Sequence, residues 1–394
     1  MMKRFLISIV MCSLLLSCSN NSAQTTNTPD DKKNIHNGLF LITSTDKDGK
    51  TLYGFIDNTG KTVIKPQFDS ATNFDNGVSI AETNNKTILI DINGNTIANC
   101  PYRLPNLFSE GFLIIKDNDT YKYGFIDASG KKIVDCIYDD AEQFHEGLAK
   151  VSKGQKIGYI NTKGELQIPL QFDSAQDFHE GMALVTKDQS SGFIDKNGNL
   201  LFNFTADRIN NFSEGLAMFE KNNKYGYINT KGEVVIKPQF VFAYDFHDGL
   251  AAVTLTSYPG ECNNDYGYIN QKGEMVIKPQ YVIPGDFNKG LAIVGIKKII
   301  NGMSYRKCGY INTKGKYTVK PNFDDAKQFS EGLAAVKNDN SWGFIDGSGK
   351  IIIKFNQYNS ASDFIDGLAQ VGVYDSSRNI YITKSGKVVW PQEE

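Results

Sequence analysis

The chain has 394 residues, with 42 basic and 44 acidic side chains, a formal net charge of −2 and 40% hydrophobic residues. Near-neutrality without a basic stripe argues against nucleic acid as a partner. Only four histidines are present, with no Cys-x-x-Cys or paired-His spacing, so no metal centre is expected, and no cofactor motif is found.

The N-terminus sets the compartment. Lys3 and Arg4 precede an apolar run from Phe5 to Leu16, which is too short to span a bilayer and has the form of a signal peptide. Leu15-Leu16-Ser17-Cys18-Ser19 follows the pattern of a bacterial lipobox. Residues 1–17 are therefore expected to be removed, leaving Cys18 as the lipidated first residue of the mature protein, held to a membrane through its acyl chains. Residues 18–34 are polar and form a tether, with an end-to-end distance of roughly 20 Å by random-coil scaling. The expected location is the cell envelope, anchored to the outer membrane and facing the periplasm or the surface.

Residues 35–394 form a repeat domain with a period near 34. Its first marker, aromatic-Gly-aromatic-Ile-Asp/Asn-x-x-Gly, has its first glycine at 54, 124, 158, 192, 226, 267, 309 and 343, with degenerate copies ending at Gly94 and Gly386. A second marker, Phe-x-Glu/Asp-Gly-Leu-Ala, keeps step with it, as at Phe144–Gly147, Phe178–Gly181 and Phe329–Gly332. Two markers in phase along the chain define about ten units. In each, Leu-Ala-x-Val, Gly-Phe-Ile-Asp and Lys-x-Val-Ile-Lys-Pro read as three short antiparallel strands bounded by turn residues. Asp57-Asn58-Thr59-Gly60 and its equivalents read as a hairpin closed by a left-handed glycine. The proline after the third strand suits a strand end, and the connector Asp-x-Ala-x-x-Phe-x-Glu-Gly reads as one helical turn. So small a unit buries too little by itself, and stacking must supply the core.

These residues resemble the WG, or KWG, repeat proteins of bacteria, and the resemblance covers roughly residues 36 to 390. Ser341-Trp342-Gly343-Phe344-Ile345-Asp346 carries the Trp-Gly pair itself. The resemblance implies a repeat-built all-β architecture and an envelope or interaction role, with no catalytic residues to carry over. An open, spiral, solenoid-like array is favoured by the unit size and number; a closed propeller-like toroid is the second arrangement.

Four cysteines remain in the body. Cys100 and Cys136 each lie six residues after a turn glycine, so a bond between equivalent positions of consecutive units and a pair of buried thiols are both open. Cys262 and Cys308 flank two loops in which the spacing of the first marker grows from 34 to 41 and then 42 residues, and a disulfide between them would tie the loops together. Those insertions, around residues 254–265 and 295–307, fall at one equivalent connection and mark a candidate binding face. Tyr258, Glu261, Lys297, Lys298, Tyr305 and Arg306 are the predicted partner contacts. His145, His179 and His247 share one repeat position and read as loop residues, with a metal or proton-switch role as the sharper alternative. The recurring rings Phe55, Phe125, Tyr159, Phe193, Tyr227, Tyr268 and Tyr310 read as core, with glycan stacking as the alternative. No nucleophile elbow, metalloprotease helix or phosphate loop is present. The sequence therefore points to a lipid-anchored scaffold that binds another envelope or surface protein. A glycan-binding module comes second, and a carbohydrate-active enzyme third.

Overall fold

The computed structural model describes residues 37–104, 107–256, 265–300, 303–373 and 380–391. Cys18 and the tether lie outside them. Every described element is a β-strand, and no sheet closes into a barrel. Ten antiparallel units follow one another, their strands paired in sequence order. Units 4 to 6, at Asp140–Phe172, Ser174–Asn203 and Arg208–Phe240, show the regular form. The three expected strands are present, and a fourth precedes them. This extra strand is the connector, where a helical turn was expected. Ser174 and Ala175 pair with Thr186 and Val185, and the chain then turns back at His179–Met182. The connector extends because its backbone groups find partners in the next strand, and a single isolated helical turn would leave them unpaired.

The aromatic-Gly pair is explained by a bulge in the last strand. Tyr225 pairs with Phe240 and Tyr227 with Ile236, so the Lys-Pro segment arches over Gly226. A Cβ there would stand 2.5 Å from the Ile236 carbonyl oxygen, which only glycine avoids.

The two markers prove to be physical partners across each unit boundary. Tyr159 packs edge-on against Phe178 of the next unit at 5.0 Å, Phe193 against Phe212 at 4.9 Å and Tyr227 against Phe246 at 4.9 Å. The Tyr159 and Tyr227 hydroxyls donate to the Gln176 and Tyr244 carbonyls, 2.6 and 2.7 Å away. The glutamate of the second marker is the polar counterpart of this joint. Glu146 accepts bonds from the Glu180 and Gly181 amides at 2.7 and 2.9 Å, and Glu180 does the same for Glu214 and Gly215 at 2.6 and 2.9 Å. These carboxylates staple one turn to the next.

The ends of the array meet through the same contacts. Gly94 sits on Ile64 of the preceding unit and Gly386 on Ile353, and Gly60 of unit 1 sits on Val389 of unit 10. The Tyr381 hydroxyl donates to the Leu41 carbonyl at 2.8 Å, and Phe40, Ile42, Ile56, Leu368 and Tyr381 form one buried cluster. Of the two arrangements the sequence left open, these are the contacts of the closed toroid. Closure comes from packing, since units 1 and 10 share no strand.

Candidate functional site

The regular units turn tightly between their second and third strands, and the sequence shows how. An aspartate that opens the connector accepts a bond from the first amide of the two-residue turn: Asp69 from Asn84, Asp173 from Asp188, Asp207 from Asn222 and Asp324 from Asp339, at 2.8–2.9 Å. Asp139 caps Gly154 at 2.6 Å. The turn residues Asn84, Asn85, Asn222 and Asn223 hold left-handed backbones, which asparagine tolerates best after glycine.

Units 7 and 8 carry Val241 and Val282 in place of that aspartate. Without the cap, the turn is replaced by the two insertions. In unit 8 the result is a regular ribbon, Leu291–Ile300 paired with Met303–Asn312. Lys297 faces Arg306, Lys298 faces Tyr305 and Ile299 faces Ser304. At its base Ile296 packs on the core cluster shared by units 7 and 8, and Lys307 pairs with Asp324 at 2.6 Å. Beyond the base the ribbon leaves the body: Ile299 is 62% exposed, Met303 59% and Tyr305 38%. Four of the six predicted contacts, Lys297, Lys298, Tyr305 and Arg306, are thus brought together on two facing strands. Tyr258, Glu261 and Cys262 lie outside the described residues.

Of the two cysteine readings, the structure has the free thiols. Cys100 and Cys136 are unbridged thiols, because equal spacing from the turn glycine does not give equal register. The Cys100 amide bonds directly to the Thr87 carbonyl at 2.9 Å, whereas Cys136 lies within the bulge between the pairs Phe125–Val134 and Tyr123–Tyr138. Burial pushes both thiols upward. Cys308 is buried at the base of the ribbon.

The recurring rings are core: Phe55, Phe125, Tyr159, Phe193, Tyr227, Tyr268 and Tyr310 are all essentially inaccessible, which removes them as stacking platforms. His145 and His179 stand 6.0 Å apart between ring centres, and His145 Nε2 lies 3.6 Å from Asp177. Burial first, then His145, holds His179 below the ordinary imidazole range. Among the described residues no group of three or more His, Cys, Asp and Glu could hold a metal ion.

One feature escaped the sequence reading. Between units 2 and 3 the last strand shortens to Thr96–Asn99, and the connector has Arg103 where an aspartate is expected. A groove of about 1050 Å³ opens there, lined by Thr72, Asn85, Asn99, Tyr102, Arg103 and Asn118 among others. The signal was Arg103 in the aspartate's place, since a short last strand without Ile-Lys-Pro-x-Phe recurs at Leu200–Asn203 of unit 5.

Eight stretches, at residues 53–86, 123–156, 157–189, 192–225, 225–256, 266–297, 309–342 and 342–375, match the model of the WG containing repeat, and together they cover more than half of the chain. The chain belongs to this family. The WG repeats form a scaffold, and the unmatched stretch between 86 and 123 is the one that borders the groove. No curated protein matches the WG-repeat chain. Among solved structures it is similar to a eukaryotic initiation factor at 13% identity and a TM-score of 0.50, over 82% of this chain and 96% of that one. It is also similar to Hsv2p of Kluyveromyces lactis, at 10% identity and a TM-score of 0.34 over 62% and 92% of the two chains. A third is the extracellular domain of a putative hybrid two component system from B. thetaiotaomicron, at 10% identity and a TM-score of 0.26 over 89% and 52%. At such identities the likeness to the initiation factor concerns the fold alone.

Proposed function

We propose that this WG-repeat chain is a lipid-anchored scaffold of the cell envelope, not an enzyme, and that the ribbon of unit 8 is its contact with another envelope protein. The observation that carries the reading is the exposure of Ile299, Met303 and Tyr305 on a paired ribbon flanked by Lys297, Lys298 and Arg306. Apolar and aromatic side chains within a cationic rim are the composition of a protein-binding surface, and a paired ribbon loses little conformational entropy when it binds. The anchoring part rests on the lipobox at Cys18. The glutamates and aspartates that recur in the units are engaged in staples and turn caps, which is a structural use.

The test is photocrosslinking in intact cells, with a photoreactive residue at position 303 or, as the comparison, at position 222 in the regular turn of unit 6. One protein adduct formed at 303 and not at 222, and lost in the unanchored Cys18→Ala chain, is the expected result. Equal adducts from both positions, or none from either, would overturn the reading.

A further inference from the structure

The groove between units 2 and 3 is a second place where the repeat is broken, and its chemistry differs from that of the ribbon. Unit 2 ends without the bulge of its neighbours, pairing Leu89 with Ala98 and Ile88 with Asn99 directly. Cys100 then fills the core position that Phe172 takes in unit 4, and the first strand of unit 3 shrinks to a single bridge, Arg103 to Lys116. The groove opens at this boundary, beside Cys100 and Tyr102.

Its lining is rich in carboxamides and hydroxyls. Asn118 fixes the rim by donating to the Pro101 carbonyl at 3.0 Å, and Thr72 is tied to Ser79. The side chains of Asn85, Asn99 and Arg103 are engaged by no hydrogen bond or ion pair among the described residues and are available to a ligand. Ile80, Leu104 and the half-buried Tyr102 supply the apolar part of the wall. Of the three charged residues lining the groove, Glu82 already accepts a bond from Ser70 at 2.9 Å, which leaves Lys86 and Arg103 to set the charge. Beside the groove, on the same turn as Asn118, Tyr121 stands 59% exposed with φ at 59°, a backbone region that favours glycine and asparagine over a ring.

These groups select among ligand classes. A peptide adding as a strand needs a free backbone edge, but here Arg103 and Lys116 exchange both bonds at 3.0 and 2.9 Å. A carboxamide offers a donor and an acceptor in one plane, which matches neighbouring hydroxyls of a sugar ring, and tyrosine offers an apolar face to its C–H groups. A guanidinium matches a carboxylate through two parallel bonds. The volume is at the upper end of what small-ligand sites hold, on the order of 300–1,000 Å³, which suits several linked rings.

We propose that the groove between units 2 and 3 binds an oligosaccharide bearing carboxylates, of the uronic-acid class, with Asn85 and Asn99 on its hydroxyls and Arg103 on a carboxylate. This site is separate from the ribbon of unit 8, so either reading stands without the other. The test uses the full chain in detergent, applied to immobilised six-residue oligomers of a uronic acid and of a neutral hexose. The expected result is retention on the uronic-acid oligomer, at least tenfold stronger than on the neutral one, and at least tenfold weaker in the Asn99→Ala, Arg103→Ala double variant. Both residues are exposed, so Tm should not change in that variant. A Tyr305→Ala chain, altered only in the ribbon, should bind as the unchanged protein does. No retention, equal retention of the neutral oligomer, or a double variant that binds as well as the unchanged chain would overturn the proposal.

Discussion

Units 4 to 6 and units 7 and 8 are built on the same four strands and the same aromatic joints, yet one group ends in tight turns and the other in long insertions. The difference traces to one position. Asp139, Asp173 and Asp207 hold an amide of the tight turn, whereas Val241 and Val282 have no acceptor to offer. A repeat array thus separates two tasks: these units keep the residues that join them, and in unit 8 the turn cap is given up where the ribbon projects from the body.

The comparison is most sharply tested with tyrosines from the two regions. Tyr227→Ala empties a buried joint and removes a bond to the Tyr244 carbonyl, and should cost about 3–5 kcal/mol of unfolding free energy in urea. Tyr305→Ala should cost less than about 0.5 kcal/mol, since the ring packs on no core cluster. Equal costs would make the ribbon a structural element and not a contact surface.

The cap gives a smaller effect. Asp207→Ala should lower stability by about 1–2 kcal/mol, through the loss of an acceptor for the Asn222 amide. Val282→Asp should gain nothing, because the tight turn it would cap is absent from unit 8. A gain of similar size in unit 8 would show that the aspartate acts by something other than capping.

Protonation distinguishes the two regions more finely. In unit 7, burial is the largest influence on Asp245 and pushes its carboxyl above the ordinary range, against a bond from Asn210. The folded state therefore holds this proton more tightly than the unfolded chain, and its contribution is lost as pH rises through the folded pKa. Asp245→Asn should raise the urea midpoint near neutral pH and leave it unchanged at about pH 3, where both states are protonated. In unit 5, His179 is shifted downward, so the fold favours neutral imidazole. Stability should then fall as pH drops from about 6.5 through the folded pKa, and His179→Gln should remove that part of the slope.

Much of this was legible in the sequence. The all-β class, the ten units, the glycine-closed hairpins and the buried aromatic row all follow from local rules, because turn chemistry and alternation act over a few residues. The insertion of unit 8 could be read from spacing alone, and four of its predicted contacts meet on the ribbon. What the sequence misled on was register: Cys100 and Cys136 have the same spacing, but Cys136 lies within a bulge of unit 3 that unit 2 lacks. The connector strand was hidden because its hydrogen bonds go to the strand beyond the next turn. The meeting of Gly60 with Val389, and the groove beside Asn99, were decided only by tertiary structure. Closure depends on small rotations accumulated over ten joints, and the groove on how two neighbouring units meet; neither is a property of any single unit.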